Sequence, residues 1–208
     1  QLRSPLSAVS MQTELVAELG RPADEAFIIR LRRNLRRIEE LVNRILRLER
    51  FEPGESPVKP EKVYPARIID DLMSDQERSA ARKGLRFEAH VNRSLQMNID
   101  PGLFIDALGN LITNAIKYTQ EGWVIVDAVE HPREVIFRVR DSGPGMTPEK
   151  RCSLFKETQP GKAGGAGIGL QIAQHAAQAQ GGKITVESEP GKGSIFSLCL
   201  PREVAARE

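Results

Sequence analysis

Leu2, Leu6, Val9, Thr13 and Val16 recur at alternating spacings of four and three residues. The alternation resumes after Gly20-Arg-Pro22, at Phe27, Leu31, Asn34, Ile38, Leu41, Ile45 and Leu48. Such spacing draws a heptad seam along each of two helices. Gly20 stops the first, and Pro22 with Asp24 and Glu25 starts the second. Ile28, Leu35 and Val42 widen the second stripe beyond one narrow seam. A lone two-helix hairpin cannot bury that much surface. A symmetric dimer closing a four-helix bundle can; a hairpin packed on the following domain is the other solution. The arginines from Arg30 to Arg50 form a solvated face or a surface for an acidic partner.

The pattern changes after residue 51. Phe51-Glu-Pro-Gly-Glu-Ser-Pro-Val-Lys-Pro60 cannot continue a helix, so residues 52–60 read as a linker. Residues 65–83 then predict a helix with Ile68, Ile69, Leu72, Met73 and Ala80 facing inward and Gly84 as its stop. Strands are expected over 85–91 and 96–99, and Asp100-Pro101 opens a second helix. In it Asn110, Asn114 and Lys117 share one face, and Leu108, Leu111, Ile112, Ala115 and Ile116 form the apolar one. Residues 124–129 and 135–140 read as a hairpin around His131-Pro132. A glycine-rich loop, a helix over 168–180 and a closing hairpin of 183–187 and 194–200 complete the chain. The fold class is therefore α+β: a helical hairpin over 1–51, then an α/β sandwich over 61–208 with helices on one face.

Composition narrows the classes without choosing one. Of 208 residues, 40% are hydrophobic and 28% charged, enough to bury a core. A net charge of +2 gives no argument for nucleic acid or a membrane surface as partner. Cys152 and Cys199 lack metal-ligand spacing and read as structural thiols of a reducing compartment. No signal peptide is visible and no apolar run approaches membrane-span length. The first residue is not Met, so a piece of a longer chain is expected.

Three glycine elements carry the candidate chemistry. Asp141-Ser-Gly-Pro-Gly145 follows a strand, where a carboxylate can accept from an exocyclic amine while glycines let the backbone approach a ligand. Taken alone, it is also ordinary turn chemistry. Gly164-Gly-Ala-Gly-Ile-Gly-Leu170 opens a helix, whose N-terminal N–H groups suit phosphate. It is not a Walker A loop, and no strand immediately precedes it as a dinucleotide fingerprint requires. Gly191-Lys-Gly-Ser194 lies inside the final hairpin and would otherwise be a simple turn.

The specific feature is their order: the Asn helix, Asp-x-Gly-x-Gly, Gly-x-Gly-x-Gly-Leu, then Gly-Lys-Gly-Ser before a strand. This resembles the ATP-binding domain of sensor histidine kinases, of the superfamily shared with gyrase, heat-shock chaperone and mismatch-repair ATPases. Gln1-Leu-Arg-Ser-Pro-Leu6 resembles the family's phosphoacceptor box, His-x-Leu-Arg-Ser/Thr-Pro-Leu. The resemblance implies that Asp141 binds the adenine amino group, with Gly143 and Gly145 shaping the pocket. It implies Asn114 as the Mg²⁺ ligand, Asn110 and Lys117 near the metal–phosphate cluster, and Tyr118 beside the nucleotide. Gly165, Gly167 and Gly169, with Leu170, would meet the phosphates at the end of a lid over 146–166, and Ser194 would line the site. Lys156 and Lys162 in the lid read as solvated or as phosphate contacts. ATP and Mg²⁺ are the implied cofactors, and a homodimer and a response-regulator receiver domain the implied partners. The implied compartment is the cytoplasm, alone or as part of a membrane-anchored sensor.

Departures from the family pattern refine this. The acceptor His would lie just before Gln1 and is not in the sequence; His90, His131 and His175 match no acceptor box. Gln1 stands where an acid often assists proton removal, and Ser4 where Thr or Asn often orients water for dephosphorylation. Leu154-Phe155 is a vestige of the lid's aromatic box. ATP-hydrolysing relatives usually place Glu at position 110. Asn110 cannot take a proton, which favours transfer to a protein acceptor. The rival reading is a non-catalytic dimeric scaffold with a retained or decayed nucleotide site.

Overall fold

A computed structural model describes residues 58–154 and 167–204, all within one compact unit. The helical hairpin expected over 1–51, most of the expected linker, and Gln1, Ser4, Lys156, Lys162 and Gly165 lie outside the described residues.

The elements run β1 (Glu61–Val63), α1 (Pro65–Ala81), β2 (Arg86–His90), β3 (Met97–Ile99), α2 (Pro101–Tyr118), β4 (Trp123–Glu130), β5 (Glu134–Asp141), α3 (Pro148–Ser153), α4 (Gly167–Ala179), β6 (Lys183–Ser188) and β7 (Ser194–Pro201). β1 and β3 pair antiparallel as a small sheet, and the main sheet has the order β2-β4-β5-β7-β6. Three features were not expected. The helix α3 forms at 148–153, in a stretch read as loop. A strand forms at 61–63, and β2 lies parallel to β4, so the main sheet is mixed rather than a set of antiparallel hairpins. A parallel neighbour needs a long crossover. Here the chain from 91 to 122 supplies it, by way of β3 and α2.

Alternation decides which sheet face is buried. Val124 and Val126 on β4, Val135, Phe137 and Val139 on β5, and Leu198 and Leu200 on β7 are fully buried. Ile125, Ile136, Arg138 and Arg140, at the alternate positions, are only half-buried. α2 lies on the buried face. Its Phe104 meets Phe137 edge-on, with ring centroids 4.8 Å apart. α1 and α4 pack against α2.

α2 is locally well specified. Phe104, Ala107, Leu108, Leu111, Ile112, Ala115 and Ile116 recur at helical spacing and are all buried. Asp100 caps the N-terminus, its Oδ1 accepting from the Leu103 N–H at 3.0 Å, with Pro101 in the first turn. The Asp100 N–H donates to the buried Gln180 side chain at 2.9 Å, which fastens the start of α2 to the end of α4. α1 stops where Gly84 takes φ +65. Leu85 N–H then donates to Ala80 O and Gly84 N–H to Ala81 O, the paired bonds of a Schellman stop. Lys83, inside that stop, reaches across to the far end of α2.

Candidate functional site

Asp141 ends β5 with its side chain on the buried face, 6% exposed. The Gly143 N–H donates to its Oδ1 at 2.9 Å. Burial pushes the carboxyl above the ordinary carboxylate range; backbone N–H groups of Gly143 and Ser194 oppose that shift in part. A desolvated carboxylate with few partners is a strong acceptor for a ligand amine.

The glycines around Asp141 are there for space. A Cβ on Gly143 would lie 2.8 Å from Asp141 Oδ1 and 3.3 Å from Thr119 Oγ1. Gly145 and Gly193 have φ +65 and +81, and a Cβ on either would stand 1.9 Å from a carbonyl oxygen, of Glu189 and Asp141 respectively. The Asp141 loop and the β6–β7 turn thus interlock backbone to backbone. Ser194 pairs with Asp141 across the strands, and its Oγ lies 3.0 Å from Ser188 Oγ.

The polar face of α2 borders the start of α4. The Asn110 side-chain amide donates to Asp106 O at 2.6 Å, and a Cβ on Gly169 would meet Asn110 Oδ1 at 2.7 Å. Gly169 thus leaves room for the Asn110 amide, which a side chain there would have to displace. Leu170 beside it is buried. Asn114 is half-buried one turn after Asn110, and makes no side-chain hydrogen bond among the described residues. Lys117 and Tyr118 are exposed, with Lys117 Nζ 5.2 Å from the centre of the Tyr118 ring. Gly167 begins α4.

Two residues that pattern reasoning passed over sit at the join. Lys83 Nζ donates to the carbonyls of Ile116, Lys117 and Thr119 at 2.7, 2.9 and 2.9 Å, a cationic cap on the C-terminus of α2. A basic residue just before a helix-stopping glycine was the only available signal. Thr119 is fully buried, and its hydroxyl has no hydrogen-bond partner among the described residues. No periodicity marks that. Cys199, at the other end of β7, has its thiol pushed up by burial, consistent with an inert structural role.

These residues fit an adenine nucleotide: a buried carboxylate, an orphaned hydroxyl beside it, and glycines where side chains would obstruct. Among the described residues no group of three or more His, Cys, Asp or Glu side chains could cage a metal. Asn114 offers one hard oxygen, which suits Mg²⁺ held mainly by phosphates and water.

An α+β sandwich with this site defines a class of nucleotide-binding domain, and the sequence agrees. The profile of the "histidine kinase-, DNA gyrase B-, and HSP90-like ATPase" family matches residues 99–204, just over half the chain, and the chain belongs to that family. Its relatives are of the histidine kinase kind. The aerobic respiration control sensor protein ArcB of Escherichia coli (strain K12) is 31% identical over 224 residues, covering 100% of this chain and 28% of ArcB. The adaptive-response sensory kinase SasA of Synechococcus sp. (strain JA-3-3Ab) is 28% identical, covering 96% of this chain and 56% of SasA. The chain therefore spans less than two thirds of these relatives. Among solved structures, the Acinetobacter baumannii histidine kinase AdeS superposes with a TM-score of 0.83 at 21% identity, covering 97% of this chain and 96% of that one, a likeness of fold. Full-length ShkA in complex with AMPPNP gives 0.79 at 25% identity, covering 98% and 47%. The described domain is a nucleotide-binding domain of the histidine kinase-, DNA gyrase B-, and HSP90-like ATPase family.

Proposed function

We propose that this chain is the catalytic core of a two-component sensor histidine kinase. It binds ATP, phosphorylates a His just before Gln1, and passes the phosphoryl group to an Asp of a response-regulator receiver domain. The observation that carries the reading is Asp141: a desolvated carboxylate at a strand end, walled by Gly143, with Thr119 bordering the same space. In this reading Asp141 accepts the adenine amine, and Gly143, Gly145 and Ser194 shape the pocket. Asn114 supplies an oxygen to Mg²⁺, while Asn110, Lys117, Gly165, Gly167, Gly169 and Leu170 border the phosphates and Tyr118 flanks the nucleotide. Bound Mg²⁺ neutralises phosphate charge during transfer. Asn110 holds an amide where a water-activating base would need a carboxylate, which favours phosphoryl transfer over hydrolysis.

Residues 1–51 are proposed as the dimerising hairpin, with Gln1 and Ser4 beside the acceptor, 52–60 as the linker and 61–208 as the ATP-binding domain. The linker's prolines and glycine let donor and acceptor approach. A receiver-domain partner is supported by ThkA, seen in complex with response regulator protein TrrA, whose fold this chain shares at a TM-score of 0.78. No described helix is long and apolar enough to cross a membrane.

The test is to place His immediately before Gln1 and supply γ-labelled ATP and Mg²⁺. Acid-labile, base-stable label on the protein is expected, and it should vanish with Asn114→Asp or Asp141→Asn. Nucleotide binding without label would overturn the kinase reading and leave the scaffold.

A further inference from the structure

The main sheet ends on β6, and the far side of that strand is unpaired. Among the described residues no strand lies beside it, and no backbone hydrogen bond outside the β6–β7 ladder engages residues 183–188. Such an edge presents free N–H and C=O groups to any strand that can add to it. Lys183, Thr185 and Glu187 are exposed on the outer face of β6. Ile184 and Val186, on the inner face, are only half-buried, although Leu198 and Phe196 beside them on β7 are buried. Lys183 and Glu187 have no ion partner among the described residues. The opposite edge differs: on β2 the Glu88 carboxylate lies 3.5 Å from Arg86 Nε and 3.2 Å from His90 Nε2, within one strand.

A lysine on an edge usually resists an incoming strand. Lys183-Ile-Thr-Val-Glu187, however, is complementary to itself when turned end for end. With Thr185 opposite Thr185 in an antiparallel pair, Lys183 faces Glu187 and Ile184 faces Val186, each twice. Opposite residues point to the same face, so the helices of both copies lie on one side of a continuous sheet. We propose that β6 is an interaction surface whose partner is β6 of a second copy of this chain, paired antiparallel about Thr185. Lys183 and the partner's Glu187 form one ion pair and the symmetry mate forms another, while Ile184 and Val186 of both copies close an apolar cluster on the inner face. One edge of 6 residues buries less than a stable dimer needs by itself. The pairing therefore acts between copies that another contact already holds close together. It does not depend on the nucleotide-binding reading.

The experiment places a single cysteine in the full chain, in a background of Cys152→Ser and Cys199→Ala. Covalent dimer is measured on non-reducing gels after equilibration in a glutathione redox buffer. Opposite residues of an antiparallel pair have Cα atoms about 4.5–5.5 Å apart, within disulfide reach. Thr185→Cys meets its own copy on the two-fold axis and should cross-link. Glu189→Cys, also exposed and just past β6, would lie about 26 Å from its own copy and should give about tenfold less dimer. Adding Glu187→Lys to Thr185→Cys sets like charges opposite each other and should cut the dimer about fivefold. Adding Lys183→Glu as well restores opposite signs in exchanged places and should recover it. All these side chains are exposed, so thermal melting should be unchanged among the variants. Equal dimer from Thr185→Cys and Glu189→Cys would mean random collision and overturn the proposal. So would no dimer from Thr185→Cys, a charge reversal without effect, or exchanged charges that recover nothing.

Discussion

Replacing Lys83 with Met removes an ammonium and keeps the length of an apolar stem. The ammonium has three N–H donors, and all three are used, on carbonyls 33 to 36 residues away at 2.7–2.9 Å. A hydrogen bond to a charged group contributes about 1.5–3 kcal/mol when well buried. Two of these are part-buried and one is exposed, so water replaces some of what is lost. A cation at a helix C-terminus adds about 0.3–1 kcal/mol. The net cost of Lys83→Met is then about 2–4 kcal/mol. At about 2–4 °C per kcal/mol for a domain near this size, Tm should fall by roughly 5–15 °C. Urea unfolding followed by circular dichroism gives the free energy, and calorimetry the melting point. Lys83→Arg should recover less than half, because three carbonyls converge on one nitrogen and a planar guanidinium spreads its donors. ADP affinity should fall in parallel, since Lys117 to Thr119 lose their anchor. A Met variant within about 0.5 kcal/mol of wild type would refute the clamp.

Four further substitutions separate stability from binding. Asp141→Asn should abolish adenine-nucleotide binding and leave the fold as stable or more so. Burial raises the native carboxyl above its unfolded value of about 3.9, so the native state holds the proton longer. Wild-type stability should therefore fall as pH rises through that window, and the Asn variant's advantage should grow and then level off. An advantage that grew toward acid would contradict the raised value. In the β6–β7 turn, Gly191 and Gly193 both have positive φ, but only Gly193 has a carbonyl where its Cβ would go. Gly191→Ala should cost about 1–2 kcal/mol, and Gly193→Ala clearly more, together with ADP binding; equal costs by urea titration would refute the interlock. Gly169→Ala should raise helix stability by up to about 1 kcal/mol. It should also swing Asn110 off Asp106 O and cut label transfer to the restored His; full activity would mean that Asn110's placement does not matter.

What was legible in the sequence is what short-range chemistry dictates. Asp100-Pro101 starts α2 and Gly84 stops α1, because caps and φ preferences act within a turn. The polar line Asn110, Asn114 and Lys117 opposite a buried face follows from helical spacing, and the alternation along β5 from the two-residue period of a strand. Asp141 could be singled out because a carboxylate at a strand end followed by glycines is a local arrangement. Tertiary structure decided the rest. That β2 joins β4 in parallel, while β3 pairs with β1, depends on partners far apart in sequence. Sheet pairing carries no local mark of its partner, so hairpins are the default reading. Lys83 had no visible task until folding brought it to the end of α2, and Gly193 no visible constraint until its turn met Asp141 O. Thr119 is the sharpest case. Its side chain is an ordinary hydroxyl in the sequence, and only tertiary burial beside the Gly143 backbone leaves it without a hydrogen-bond partner among the described residues.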